Sequence, residues 1–211
     1  MTNTATDTVL VLLVDDEPGV TDALAWLLES VRIPSRAFAS ARDFLRALDE
    51  IDGPVCAVLD LRMPEMSGLE LQQRLIEAGH DVPVMFLSAH GDVPAAVNAM
   101  QAGAVDFLQK PLNPQAFLTS VNRIIRLARE RYARREHERE LQRELRSLSS
   151  REIDVLEGLR RGHTSKEIAR ALEISPKTVD VHRANILRKM KVSSAAELIR
   201  RLGTTGSRTA A

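Results

Sequence analysis

Asp15, Asp16 and Glu17 stand together near the start of the sequence, Asp60 ends an apolar run, and Ser88 and Lys110 each follow another. Carboxylates brought close together repel, and they stay ionised only where a cation offsets them. Oxygen-only donors favour a hard cation, and Mg²⁺ is the usual one that keeps waters and accepts phosphate oxygens. A hydroxyl and an ammonium would complement such a set, provided the fold brings all of them to one place.

The elements that must position them are legible as alternating β-type runs and helical stretches over the first 125 residues. Strands are expected at Val9–Val14, Ser35–Ala39, Val55–Leu59, Val84–Leu87 and Val105–Leu108, three of them nearly continuous apolar runs of the kind covered on both faces. Helices are expected at Pro18–Ser30, Ala41–Leu48, Gly68–Ala78, Pro94–Ala102 and Pro114–Arg129. Ser40 with Asp43, and Asn113 before Pro114, supply N-terminal signals. The alternation implies an α/β open, doubly wound, five-stranded parallel sheet, whose ligands bind beyond the carboxyl ends of the strands. Asp15, Asp16, Asp60, Ser88 and Lys110 all fall there.

As an ordered set, Asp15-Asp16, Asp60-Leu61-Arg62-Met63-Pro64 with Ser67-Gly68, Ser88-Ala89 and Lys110-Pro111 resemble the receiver domain of bacterial two-component response regulators. The resemblance covers roughly residues 8–127. It implies that Asp60 accepts a phosphoryl group and that Asp15, Asp16, Asp60 and the backbone carbonyl of Arg62 hold Mg²⁺. It also implies that Ser88 and Lys110 contact the phosphoryl oxygens and that Phe107 is the aromatic switch. A carboxylate can attack phosphorus in line when metal and ammonium neutralise the transferring group.

The formal net charge of zero conceals a split: residues 1–125 hold 8 Lys+Arg against 17 Asp+Glu, and residues 126–211 hold 21 against 12. Halves of −9 and +9 argue for two domains with different partners, the second suited to a polyanion. No apolar run is long enough to span a membrane, and Met1–Thr8 lacks the layout of a secretory signal, so no membrane partner is expected. The single cysteine, Cys56, excludes an internal disulfide and suits the cytoplasm. Cys56 and Trp26 both sit among apolar residues and are expected in the core.

Residues 128–146 are highly charged, without glycine or proline, and are expected to form a solvated helical linker. Residues 147–203 read as a small all-α domain of four helices. Ser149 with Glu152, Thr164 with Glu167 and Ser194 with Glu197 are spaced as capping boxes, and Ser175-Pro176 supplies a further start. Thr164–Leu172, a turn, and Pro176–Met190 have helix-turn-helix proportions. Residues 204–211 are expected to be a flexible tail.

Leu148-Ser149, Arg151-Glu152, Val155-Leu156, Gly162, Lys166-Glu167-Ile168-Ala169, Lys177-Thr178-Val179, Val181-His182, Ile186 and Lys189-Met190 resemble the LuxR-type DNA-binding domain of NarL and FixJ regulators. With the receiver, the resemblance points to the FixJ-like branch. At about 100° per residue, Val179, Ile186 and Met190 share the core face of the recognition helix, with Lys177, Val181, Ala184 and Arg188 opposite. By resemblance Asp180, Val181 and Ala184 face base edges, while Lys177, Thr178, His182, Arg183, Arg188 and Lys189 suit phosphate contacts. The whole is expected to be a response regulator rather than an enzyme. A sensor histidine kinase would phosphorylate it on Asp60, controlling homodimerisation and binding to double-stranded promoter DNA, with RNA polymerase a further candidate partner.

Overall fold

The computed structural model describes residues 8–89 and 93–203, so the tail expected at 204–211 lies outside the described residues. The chain divides into two compact units, residues 1–133 and 134–211. In the first, β1 (Leu10–Val14), β2 (Ser35–Phe38), β3 (Val55–Asp60), β4 (Val84–Ser88) and β5 (Asp106–Gln109) form one sheet. All neighbours are parallel, in the order β2-β1-β3-β4-β5. The order reverses beside β1, which makes the β1/β3 carboxyl edge the switch point where a doubly wound sheet opens a crevice.

Side chains alternate between two cores because successive strand residues face opposite ways. Leu12, Val14, Leu59 and Phe86 pack with Phe44 of α2 (Ala41–Leu48), Leu71 and Leu75 of α3 (Gly68–Glu77) and Ala99 of α4 (Val93–Gln101). Val11, Leu13, Val58, Met85 and Leu87 pack on the other side with Leu24 and Leu28 of α1 (Pro18–Ser30) and with Phe117, Val121 and Ile124 of α5 (Pro114–Arg146). Cys56 lies fully buried in this second core, and burial pushes its thiol up to about 12.

Trp26 departs from expectation: it is 73% exposed. The buried positions of α1 are Thr21, Leu24 and Leu28, and Trp26 lies two residues from each of the last two, about 200° around the helix. Apolar sequence neighbours in a helix need not share a face.

The fifth helix continues through the charged stretch to Arg146, as expected where neither glycine nor proline interrupts it. Leu141 (1% exposed) and Leu145 join the core of the second unit. Glu144 is buried there too, its Oε2 2.9 Å from Arg201 Nη1, while Glu140 pairs with Lys191 at 2.7 Å. These last turns are therefore packed, whereas a solvated linker was expected.

The second unit adds α6 (Ser150–Arg160), α7 (Ser165–Leu172), α8 (Pro176–Lys189) and α9 (Ala195–Gly203) around Leu148, Val155, Ile168, Val179, Ile186, Met190 and Leu198. Ser149–Glu152 and Thr164–Glu167 form complete capping boxes, and Ser175 accepts from the Thr178 N–H. At α9 the arrangement shifts. Ser194 accepts from the Glu197 N–H, but the Glu197 carboxylate reaches back to the N–H and hydroxyl of Ser193.

Candidate functional sites

β1 pairs Val14 with Leu59 of β3, so the next residues, Asp15 and Asp60, leave the sheet edge side by side. β4 pairs Ser88 with Gln109 of β5, which sets Lys110 one residue beyond. Asp15, Asp60 and Ser88 are 3%, 6% and 2% exposed, whereas Asp16 is exposed beside them. The Lys110 ammonium donates to Asp15 Oδ2 at 2.7 Å and to Asp60 Oδ1 at 2.6 Å. The other oxygens are met by main chain: Asp15 Oδ1 accepts from Glu17 N–H at 3.0 Å, and Asp60 Oδ2 from Arg62 N–H at 2.7 Å.

Burial alone would push the Lys110 pKa down, but the hydrogen bonds and charges of Asp15 and Asp60 outweigh it and hold the group above its ordinary value. The side chain therefore stays a cation. The backbone N–H of Lys110 donates to the Ser88 carbonyl at 2.7 Å, which ties the ammonium-bearing and hydroxyl-bearing residues together.

Gly68 permits a close backbone approach to Asp60. A Cβ there would stand 2.3 Å from the Asp60 carbonyl oxygen and 2.9 Å from Phe86 Cε1, so only glycine lets α3 begin so close to the end of β3.

Two buried carboxylates share one ammonium here, and Asp16 adds a third negative charge at the rim. Among the described residues no three acidic or other metal-ligating side chains enclose a metal ion by themselves. An all-oxygen set with excess negative charge fits a hard divalent cation that completes its shell with water and phosphate oxygens.

Phe107 lies outside this cluster. It is half-buried and packs on Phe86, with ring centroids 6.5 Å apart. Its N–H donates to Asp106 Oδ1 at 2.9 Å, and Asp106 Oδ2 accepts from Ser120 and Arg123 of α5. Asp106 carries no motif of its own in the sequence, although Ser120 and Arg123 stand at the i, i+3 spacing that puts both on one helix face. Burial acts to raise the Asp106 pKa, but the bonds from Ser120, Phe107 and Arg123 hold it below its ordinary value.

In the second unit α8 turns Val179, Ile186 and Met190 into the core. Lys177, Thr178, Asp180, Val181, Ala184 and Arg188 are exposed on it, and His182 and Arg183 are half-buried. Lys189 behaves differently from its neighbours. It donates to Glu152 Oε2 at 2.7 Å and to the Ser147 carbonyl at 2.9 Å. Glu152 is the buried acid of the α6 capping box and draws the nearest cation to itself. Ser165, at the first position of α7, likewise carries no motif of its own in the sequence. Its hydroxyl donates to Asp180 Oδ1 at 2.9 Å and accepts from Arg183 Nη1 at 2.6 Å.

Comparison with known proteins matches residues 11–122 to the response regulator receiver domain and residues 146–202 to the bacterial regulatory proteins of the luxR family. The chain is 42% identical over 191 residues to the response regulator protein TodT of Pseudomonas putida, covering 90% of this chain and 84% of that one. It is 42% identical over 188 residues to the transcriptional regulatory protein FixJ of Azorhizobium caulinodans, covering 89% of each. The solved structure of the response regulator StyR superposes with a TM-score of 0.83 at 39% identity, covering 93% of this chain and 99% of that one.

Proposed function

The chain belongs to the two-component response regulators that carry a LuxR-type DNA-binding domain, and from that membership we propose that phosphorylation of Asp60 governs its DNA binding. It is a transcription regulator and not an enzyme. One observation carries the proposal: the buried carboxylates of Asp15 and Asp60 are held on a single protonated Lys110 at the carboxyl edge of the sheet.

A carboxylate oxygen of Asp60 attacks the phosphorus of a sensor kinase's phosphohistidine. The P–O bond forms as the P–N bond breaks, and the electron pair returns to the donor imidazole. Mg²⁺, held by the carboxylates of Asp15, Asp16 and Asp60 and the carbonyl of Arg62, would supply charge neutralisation at the transferring group. Lys110 keeps its bond to Asp15 and turns its remaining donors to the phosphoryl oxygens, and Ser88 donates its hydroxyl to another. Drawing Ser88 toward the new acceptor shifts the end of β4, and the Phe107 ring, now against Phe86, follows.

The output is a homodimer on two promoter half-sites, since one small helix-turn-helix buries modest area. Val181 and Ala184 meet base edges together with Asp180. Lys177, Thr178, His182, Arg183 and Arg188 meet phosphates. Lys189 is left out of this set because Glu152 holds it. We place the protein in the cytoplasm with its promoter DNA; among the described residues no helix is long and apolar enough to cross a membrane. RNA polymerase is the natural further contact.

The test is incubation with a small phosphodonor and Mg²⁺. Acid-labile phosphate should enter the wild type and be absent from Asp60→Asn. Labelling that persists unchanged in the variant would remove Asp60 as the acceptor.

A further inference from the structure

The hydroxyl of Ser165 is free of the task that usually occupies a serine at a helix start. Thr164 is the N-cap of α7, and it accepts from the Glu167 N–H while the Glu167 carboxylate returns to Thr164. Ser165, one residue on, reaches instead to the neighbouring helix. It accepts from Arg183 Nη1 at 2.6 Å and donates to Asp180 Oδ1 at 2.9 Å.

A hydroxyl has one proton to give, so the direction of this chain is fixed: guanidinium to hydroxyl to carboxylate, each bond polarising the next. Asp180 and Arg183 stand three residues apart on α8 and share a face. Without the hydroxyl between them, the exposed Asp180 and the half-buried Arg183 would each lose this anchor and sample other rotamers. With it, Asp180 is anchored through Oδ1, and among the described residues its Oδ2 accepts no hydrogen bond.

We infer that Ser165 is a positioning residue for base recognition: it holds Asp180 so that Oδ2 faces a base-edge amino group, and holds Arg183 against the adjacent phosphate. The inference rests on the reading that α8 enters the major groove. A carboxylate suits an amino donor such as cytosine N4, and it excludes bases that present acceptors at the same place. A held carboxylate discriminates better than a mobile one, because its geometry is fixed before binding.

The experiment uses the full-length protein with acetyl phosphate and Mg²⁺ present throughout. The wild type selects its preferred duplex from a random library. Affinities are then measured for that duplex, each single-base variant of it and a scrambled duplex, with wild type, Ser165→Ala and Ser165→Thr. Ser165→Ala should bind the preferred duplex roughly five- to thirtyfold more weakly. It should bind scrambled DNA as the wild type does, and should lose discrimination at one base-pair position of the half-site. Ser165→Thr, which keeps the hydroxyl, should restore the profile. In an Asp180→Ala background, Ser165→Ala should cause no further loss of discrimination. An unchanged base profile in Ser165→Ala overturns the inference. So does an equal loss on every duplex accompanied by a lower Tm, the mark of a residue that only joins α7 to α8. A wild type that prefers no duplex over scrambled DNA overturns the recognition-helix reading itself, a different and separately visible failure.

Discussion

Lys110 Nζ lies 2.6 Å from Asp60 Oδ1, although fifty residues separate the two in sequence. Parallel strands make the meeting inevitable: β3 and β5 both end at the same edge, with only β4 between them. The lysine is thereby a resident counterion for two buried carboxylates, and in the proposed reaction the phosphoryl group would arrive beside it.

Removing that counterion should be costly. Lys110→Met leaves Asp15 and Asp60 facing each other without a cation, and should lower unfolding free energy by about 3–5 kcal/mol. Adding Mg²⁺ should raise the Tm of the variant more than that of the wild type, and equal shifts would argue against a shared cation site. Lys110 is held above its ordinary value of 10.5. Its contribution is therefore full below that pH and lost as pH climbs through the raised value, so wild type and variant converge only in strong alkali.

Asp106 gives the opposite pH signature. Its carboxyl is held below its ordinary value of 3.8, so its bonds to Ser120, Phe107 and Arg123 stabilise the fold above that pH. The contribution fades as pH falls through the lowered value. The gap in urea stability between wild type and Asp106→Asn should be on the order of 1 kcal/mol and flat above about pH 5. It should close in stronger acid. A gap independent of pH would show that the carboxylate's charge plays no part.

The placement of Lys189 separates two roles that charge alone cannot. Lys189→Met should destabilise the second unit by about 1–3 kcal/mol, because Glu152 loses its cation. It should leave the salt dependence of DNA binding unchanged. Arg188→Ala should do the reverse, reducing the slope of log K against log salt by about 0.9 with little effect on Tm. A reduced slope in Lys189→Met would return that residue to the DNA.

Leu141 should behave as a core residue of the second unit. Leu141→Ala should cost about 2–4 kcal/mol in the unfolding of that unit. A fragment starting at residue 134 should melt well above one starting at residue 147, and similar melting temperatures would mean that the last turns of α5 add nothing.

These contrasts show which features a single sequence reveals. The residues after each strand were legible because periodicity locates strands, and parallel pairing then gathers their ends without further information. Helix starts at Ser149 and Thr164 were equally legible, since a cap and its partner lie three residues apart, and the start at Ser175 because proline follows it. What escaped depends on contacts across helices. Lys189 meets Glu152 from 37 residues away, and Ser165 meets Arg183 from 18. Trp26 was misplaced by composition, where helical phase decides. Residues 140–146 were misjudged because their charges dominate the text, although Leu141 and the buried Glu144 face inward.

The burial of Cys56 has a practical side. The only thiol in the chain is fully enclosed in the α1/α5 core, with its pKa pushed up to about 12. Almost none of it is thiolate near neutrality, so maleimides and spin-label reagents should pass it by. A second cysteine placed on the exposed side of α4 or α8 would then be the sole labelling point, with no cysteine-free background needed. Pairs of such labels, one in each unit, would turn the wild-type core into a ready frame for distance measurements before and after phosphodonor is added.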